Sequence, residues 1–144
     1  MSYRIEAAIE TTPGLEQALA SLFPQLNPAL ARPTHQQLKA LMADPASTLL
    51  LVIDDGAIIG TATVVLYTTP VWVKARIEDV VVDESVRGRG IGEALVNECI
   101  EVARKRGANI VELQSARHRE VANRLYPRMG FELRDSNVYR ITLD

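Results

Sequence analysis

The sequence predicts a single mixed α/β domain in which one central sheet is flanked by helices. Apolar, β-branched runs alternate along the chain with segments whose apolar residues recur at helical spacing. The resulting order is strand, two helices, three strands, helix, strand, helix and two strands, which means about seven strands and about four helices. With 144 residues, the chain is long enough to bury a real core but matches the usual length of one domain.

Composition is typical of an ordinary globular protein. Hydrophobic residues make up 47% of the chain and charged residues 24%, which excludes a disordered or collagen-like protein. The net charge of −2 gives no reason to expect nucleic acid as a partner. No apolar run reaches the roughly 18 residues of a membrane span, and the N-terminus lacks an apolar signal core. We therefore expect a cytoplasmic protein with no membrane partner, which the single cysteine, Cys99, also fits.

The first third of the sequence predicts one strand and two helices. Residues 3–9 alternate weakly between apolar and polar side chains, as a half-buried strand does. Apolar residues then recur at helical spacing until residues 23–28, whose two prolines should break the helix. Thr34 can cap the second helix, with Gln37 as its capping-box partner.

A β-hairpin is predicted next. Two apolar runs, residues 48–53 and 57–67, flank Asp54-Asp55-Gly56, and an Asp-Gly pair between such runs is a strong hairpin signal. The loop that follows contains the only tryptophan, Trp72. We interpret Trp72 as a packing residue at the sheet edge.

The second half of the chain is organised around a strand, a glycine turn and a long helix. Residues 77–83 form an apolar, β-branched run, and the helical stretch from Gly90 to Arg106 places Cys99 on its inner side. Another strand is expected over residues 110–114.

The C-terminal region predicts one more helix and two closing strands. The helix should run from His118 to Tyr126 and end or kink there, because Pro127 has no N–H to continue the hydrogen bonds. Residues 129–133 and 138–143 are predicted to form a short and a longer strand.

The turn Arg87-Gly88-Arg89-Gly90-Ile91-Gly92 predicts a phosphate site. Glycine permits positive φ and close approach to the backbone, and the free N–H groups at a helix N-terminus bind anions. Arg87 and Arg89 add positive charge beside them. The spacing excludes two familiar loops, since Glu93 stands where a Walker loop needs lysine and G-x-G-x-G differs from the dinucleotide-binding G-x-G-x-x-G.

This turn is similar to the pyrophosphate loop of the GNAT superfamily of acyl-CoA N-acyltransferases, Arg/Gln-x-x-Gly-x-Gly/Ala between a central strand and a long helix. Arg87, Gly90 and Gly92 match that pattern. Residues 122–131 resemble the second signature of the family, A-x-x-L/F-Y-x-x-x-G-F, at its Ala, Leu, Tyr, Gly and Phe positions. The resemblance covers nearly the whole chain and implies the GNAT fold, with a mixed, mostly antiparallel and twisted sheet in one domain over residues 1–144.

The resemblance also implies acetyl-CoA as co-substrate and no metal. The pantetheine would lie like an added strand beside Val80, Val81 and Val82. Asn123 and Tyr126, which share a stripe of one helix, would also contact the cofactor. The pyrophosphate would bind the glycine turn, through Arg87, Gly88, Arg89, Gly90, Ile91 and Gly92.

Acyl transfer from a thioester to an amine needs a neutral amine, a donor to the carbonyl oxygen and a proton for the departing thiolate. Tyr126 matches the family tyrosine near the thioester sulfur and would supply that proton. Glu78 is the base we favour, with Asp79 or water as alternatives. Strand alternation predicts that Glu78 and Asp79 point to opposite faces, so that at most one faces the amine.

The strand 77–82 also looks like that of small-amine acetyltransferases, including glucosamine-phosphate and aminoalkylphosphonate N-acetyltransferases. We therefore expect an acetyl-CoA-dependent N-acetyltransferase whose acceptor is the primary amine of a small molecule, with a homodimer as the assembly considered. Two alternatives stay open. One is acetylation of a protein lysine or N-terminus by the same fold, and the other is a non-catalytic CoA-binding module.

Overall fold

A five-stranded sheet with the strand order β1-β2-β3-β4-β5 forms the centre of the molecule in the computed structural model, which describes residues 2–144. Neighbouring strands from β1 to β4 are antiparallel, whereas β5 is parallel to β4. This mixed sheet confirms the predicted α/β class. The strands are β1 (Tyr3–Ala7), β2 (Ser47–Asp54), β3 (Ala57–Thr68), β4 (Val73–Val82) and β5 (Ile110–Leu113).

The helices are α1 (Pro13–Leu26), α2 (His35–Ala43), α3 (Ile91–Lys105) and α4 (Glu120–Arg128), with a 3₁₀ turn at Glu84–Val86. The predicted capping box of α2 is confirmed, since the Thr34 side chain accepts from the Gln37 N–H and the Gln37 side chain accepts from the Thr34 N–H. The predicted break at residues 23–28 is wrong, because α1 continues through Pro24 to Leu26. Leu22 is buried and Phe23 packs on the core, so tertiary packing outweighs the lost hydrogen bond.

Helices cover both faces of the sheet. Alternate residues of a strand point to opposite faces, yet every residue from Leu49 to Ile53 in β2 is buried. On one face, Leu49 and Leu51 pack with Leu15, Leu19 and Leu38 of α1 and α2. α3 lies against β2, β3 and β4 and buries its inner side chains, Ile91, Leu95, Val96, Cys99 and Ala103.

The chain divides into two compact units between Gln114 and Ser115, and the sheet with α1, α2 and α3 belongs to the first. In the second unit, α4 ends two residues later than predicted, at Arg128. Gly130 has φ +99°, and the N–H groups of Gly130 and Phe131 donate to the carbonyls of Pro127 and Tyr126. This is a Schellman motif, so a glycine cap and not the proline sets the end of the helix.

The prediction of two closing strands is wrong. Residues 129–133 and 138–143 form no strand, so the sheet has five strands among the described residues instead of about seven. Leu133, Tyr139 and Ile141 are more than four-fifths exposed. Alternation of apolar residues shows which side chains a strand would bury. A strand forms, however, only where the edge of a neighbouring strand pairs with its backbone N–H and C=O groups.

Within residues 2–144, no helix is both long enough and apolar enough to cross a membrane.

Candidate active site

The edge of β4 is open over half of its length. β5 pairs with β4 only from Lys74 opposite Ile110 to Ile77 opposite Leu113, and Leu113 is the last residue of β5. Residues 78–82 therefore have β3 on one side and, in the described part of the chain, no strand on the other. We call residues 78–82 the open edge. An edge of this kind presents unused backbone donors and acceptors to a ligand.

A β-bulge distorts β4 at the start of the open edge. Glu78 lies opposite Thr63 and Val81 lies opposite Thr61. Three residue steps along β4 therefore lie opposite two residue steps along β3. Asp79, inside the bulge, has φ +53°, in the left-handed region that few non-glycine residues adopt. Bulges of this type bend a strand and redirect its side chains, and they are frequent beside active sites.

The bulge changes which face each side chain occupies. Ile77 lies opposite Val64 and Val81 lies opposite Thr61, and these two β3 residues are three positions apart, on opposite faces. Ile77 and Val81 therefore also face opposite ways, although they are four residues apart. Simple alternation, from which opposite faces were predicted for Glu78 and Asp79, does not hold across this strand.

Glu78 is held by an arginine of its own strand. The Arg76 Nε donates to Glu78 Oε1 at 2.6 Å, and the Arg76 Nη2 donates to Gln114 Oε1 at 3.0 Å. The Glu78 side chain is 44% exposed, so solvent and a bound ligand can both reach it. Next to it, partial desolvation and the negative charge of Glu78 raise the pKa of Asp79. The bulge thus places two carboxyl groups with different surroundings side by side.

A hydrogen-bonded turn leads from the open edge to the glycine turn. Asp83 Oδ1 accepts from the Ser85 N–H at 2.9 Å and from the Ser85 hydroxyl at 2.7 Å, and these bonds lower the pKa of Asp83. Gln25 of α1 donates to Asp83 Oδ2 at 3.4 Å and accepts from the Glu84 N–H at 2.9 Å. Sequence analysis missed Gln25, because a polar residue on a helix carries no signal for a partner 58 positions away.

The glycine turn, residues 87–92, has the shape of an anion cradle. Gly88 and Gly90 have φ of +83° and +77°, and a Cβ added to either would meet no atom within 4 Å. Gly90 caps α3 without any side-chain hydrogen bond, so the first N–H groups of the helix point outward without a side-chain cap. The Arg87 Nε donates to the Val82 carbonyl at 3.1 Å, which fixes one cation at the end of β4. These features fit a phosphate group.

Asn123 and Tyr126 belong to α4 in the second unit. The Asn123 amide donates to the carbonyls of Ala116 and Arg117 at 2.9 and 3.3 Å, so it also stabilises the loop before α4. The Tyr126 ring packs edge-on against Phe131, with ring centroids 5.7 Å apart. The Gly and Phe of the second signature therefore have a structural role, because they form the Schellman cap and cover the tyrosine.

The first unit brings together Glu78, the open edge and the glycine turn in one continuous stretch of chain. Two surface cavities of about 380 and 540 Å³ lie beside α2 and α1, and neither is lined by Glu78 or by residues 87–92. Among residues 2–144, no three His, Cys, Asp or Glu side chains are grouped so that they could hold a metal ion. The candidate site is thus an open strand edge followed by a glycine turn whose backbone shape fits an anion.

Residues 13–131 match the sequence model of the Acetyltransferase (GNAT) family. The chain therefore belongs to this family, as the resemblance of its two signatures implied. The match includes the bulged strand, the glycine turn and α4.

Individual relatives are consistent with this assignment. The chain is 50% identical over 58 residues to an uncharacterized N-acetyltransferase of Methanocaldococcus jannaschii, which covers 40% of this chain and 26% of that protein. It is 35% identical over 86 residues to the glucosamine 6-phosphate N-acetyltransferase of Trypanosoma brucei brucei, which covers 58% of this chain and 56% of that protein. The matches thus span about a quarter and about half of these curated relatives.

A solved structure shares the whole fold. The crystal structure of an aminoglycoside acetyltransferase from an uncultured soil metagenomic sample has a TM-score of 0.85, covers 100% of both chains and is 23% identical. At this level of identity the likeness concerns the fold.

Proposed function

We propose that this protein is an N-acetyltransferase that transfers the acetyl group of acetyl-CoA to a primary amine of a small molecule. One observation carries the proposal: the open edge of β4 leads, through the short turn at residues 83–86, to the glycine turn at the N-terminus of α3. An extended amide-containing chain that ends in a pyrophosphate has the chemistry to follow such a path.

The pantetheine arm would bind along the open edge. Pantetheine contains two amide groups, and an extended chain can add to a free strand edge through backbone hydrogen bonds. Val80, Val81 and Val82 provide that backbone. Because the bulge takes Asp79 and Val80 out of regular pairing with β3, a backbone N–H here is our candidate donor to the thioester carbonyl.

The pyrophosphate would bind the glycine turn. The positive φ of Gly88 and Gly90 and the open space beside them allow a phosphate to approach the backbone closely. The positive end of the α3 dipole and the side chains of Arg87 and Arg89 would neutralise its charge. Asn123 and Tyr126 would complete the cofactor contacts.

The reaction we propose uses two side chains. Bound acetyl-CoA supplies an activated thioester. Glu78 accepts a proton from the acceptor ammonium, directly or through water, so that the neutral amine can attack, with Asp79 as the alternative base. Tyr126 donates its phenolic proton as the carbon–sulfur bond breaks and the thiolate departs, and the second proton lost from the attacking nitrogen restores the phenol, so that the products are the amide and free CoA thiol. Aligning the amine with the thioester is the third contribution of the site.

The small-molecule acceptor is supported by one of the two curated relatives. The Trypanosoma brucei brucei relative is named for glucosamine 6-phosphate, a small primary amine. A protein lysine, a protein N-terminus and a non-catalytic CoA-binding role are the competing outcomes of the test below. A homodimer and a cytoplasmic location remain predictions from the sequence.

Thiol release tests the proposal. The protein is incubated with acetyl-CoA and a library of small primary amines, with peptides in parallel, and free CoA is measured with a disulfide reagent. Burial raises the pKa of Cys99 to about 12, so the native protein contributes little background thiol signal. Release that requires a small amine supports the proposal. Release with peptides alone, or CoA binding in calorimetry without release for any amine, contradicts it.

The role of Tyr126 is tested with Tyr126→Phe, which keeps the ring and removes the hydroxyl. A positioned acid contributes roughly 10²–10⁴-fold to a rate, so single-turnover acetylation should slow by an amount in that range. The affinity for acetyl-CoA should change little, because the interaction strengthens only in the transition state. Equal single-turnover rates in the variant and the parent would restrict Tyr126 to a packing role.

A further inference from the structure

Arg76 connects the two strands at the point where β4 and β5 part. Its guanidinium contacts Glu78 on β4 through Nε, at 2.6 Å, and Gln114, the residue after β5, through Nη2, at 3.0 Å. The last paired residues of the two strands are Ile77 and Leu113. The guanidinium therefore bridges the mouth of the opening between the strands.

This contact is poorly explained by stability alone. The Arg76 side chain is 33% exposed and the Glu78 side chain 44%, and ion pairs at such exposure contribute little to folding. What the geometry does provide is orientation. The planar guanidinium presents its donors in a fixed fork, so one contact on β4 and one with the residue after β5 define where it lies. The guanidinium in turn defines where the carboxylate of Glu78 lies.

We propose that Arg76 is a positioning residue that holds Glu78 in the orientation needed to accept a proton from the acceptor amine. The proposal rests on the function proposed above. Because Arg76 contacts Oε1, the second oxygen, Oε2, can face the acceptor. Gln114 supports the arrangement by fixing the other arm of the guanidinium.

The test is a double-mutant cycle measured as kcat for acetyl transfer to an identified amine. Its members are the parent, Arg76→Gln, Glu78→Gln and the double variant. Arg76→Gln should lower kcat by roughly 10-fold, less than the ~10²-fold that a 1 Å misplacement of a catalytic group can cost. In the Glu78→Gln background, the same substitution should have no further effect, because the group that it positions is gone.

Further variants sharpen the cycle. Arg76→Lys keeps the charge, but an ammonium group lacks the planar fork of donors that contacts both Glu78 and Gln114. Its kcat should therefore lie between those of Arg76→Gln and the parent. Gln114→Ala changes an exposed residue and should cause a smaller loss that also requires Glu78. Lys74→Met is the matched control, since Lys74 forms a similar ion pair with Glu112, at 3.4 Å, two residues before Arg76; its kcat should equal that of the parent.

The possible results separate the two proposals. Equal fold losses from Arg76→Gln in both backgrounds, or a loss of the same size in Lys74→Met, would overturn the positioning role alone. An unchanged kcat in Glu78→Gln would overturn both the base and its positioning residue. Failure of the parent to acetylate any amine would overturn the proposed function and, with it, the role of Arg76.

Discussion

The two halves of β4 differ although they belong to one strand. Residues 73–77 pair with β3 on one side and, from Lys74 onward, with β5 on the other. Their alternate side chains behave as a buried strand requires, with Ala75 and Ile77 buried and Lys74 ion-paired across to Glu112. Residues 78–82, the open edge, have one neighbouring strand only, contain a bulge and include the positive φ of Asp79. Departures from regular strand structure are thus confined to the open half.

This difference indicates which half of β4 has backbone groups available for a ligand. In the paired half, backbone groups and charges are satisfied within the protein, so little remains for a ligand. In the open half, backbone groups are exposed on one side and the bulge gives a carboxylate an irregular orientation. Local rules of strand structure are broken where a site is expected and are kept where only stability is required.

Two carboxylate variants, one in each half of the comparison, give the strongest test. Glu78→Gln removes a base from the open half, and Glu112→Gln removes a carboxylate of similar exposure, 35% against 44%, that pairs with the paired half. Loss of a general base typically costs ~10²–10⁴-fold in rate. We therefore expect kcat at neutral pH to fall in Glu78→Gln by at least the lower figure while affinity for acetyl-CoA is retained.

The Glu112→Gln variant should keep the kcat of the parent. Thermal melts of both variants show whether either change disturbs folding. Equal activity in the two variants would mean that a carboxylate at the open edge matters no more for catalysis than one beside the paired half, and Asp79 or solvent would become the better candidate for the base.

The second expected effect concerns the cations of the glycine turn. Arg89→Gln should weaken CoA binding by roughly 10-fold, because a charge-assisted hydrogen bond contributes ~1.5–3 kcal/mol and a factor of ten corresponds to ~1.4 kcal/mol. Lys105→Gln removes the same charge from the other end of α3 and should leave affinity nearly unchanged. Calorimetry at two salt concentrations checks this, since the arginine effect should shrink at high salt.

Comparable losses in Arg89→Gln and Lys105→Gln would show that net charge alone, and not the turn, attracts CoA.

Much of this architecture could be predicted from local sequence. The Asp-Gly hairpin, the capping box of Thr34 and Gln37, and the glycine turn before α3 all depend on residues within a few positions of one another. In such cases the side chain that determines the structure and the backbone that it affects are neighbours. The same locality made the two family signatures readable.

The features that escaped prediction depend on distant partners. The bulge depends on a shift in the pairing register between β3 and β4, and an aspartate such as Asp79 gives only a weak sequence signal for positive φ. Gln25 is important because it meets Asp83 and Glu84 from another element. The alternation in residues 138–143 describes a suitable strand, but it carries no information on whether a sheet edge accepts it.

The third expected effect separates two glycines of the turn. Gly90 has φ +77°, whereas Gly92 lies in the first turn of α3, where an added Cβ would be 4.0 Å from Val82 Cγ2, an ordinary contact. Gly90→Ala should destabilise the protein by roughly 1–2 kcal/mol, the cost of left-handed backbone for an L-residue. Gly92→Ala should stabilise it by ~0.4–1 kcal/mol through a less flexible unfolded chain.

Urea unfolding measures both glycine variants. Since the family pattern accepts alanine at the second position, Gly92→Ala should also bind CoA like the parent. Similar destabilisation by the two substitutions would mean that backbone conformation does not distinguish these positions.

The smallest effect is a difference in sign between Asp79, which lies within the open edge, and Asp83, which directly follows it. The pKa of Asp79 is raised from its ordinary value of 3.8, so folding favours the protonated form, and this contribution is lost as pH rises through the raised pKa. The pKa of Asp83 is lowered from 3.8 by its bonds to Ser85, so its charge stabilises the fold above pH ~4, and this contribution is lost as pH falls through the lowered pKa.

At pH 7, Asp79→Asn should therefore raise the free energy of unfolding, helped by the tolerance of asparagine for positive φ, and Asp83→Asn should lower it. Each change should stay below about 1 kcal/mol because both groups lie near solvent, which corresponds to ~2–4 °C in Tm for a chain of this size. Melts between pH 3 and pH 7 measure both variants. The electrostatic part of the Asp79 difference should shrink as pH falls through the raised pKa of Asp79, and that of the Asp83 difference should shrink as pH falls from ~4 towards the lowered pKa of Asp83. Shifts of the same sign at pH 7 would show that the bulge and the turn that follows it impose the same electrostatic environment, and the contrast within β4 would then be one of backbone geometry alone.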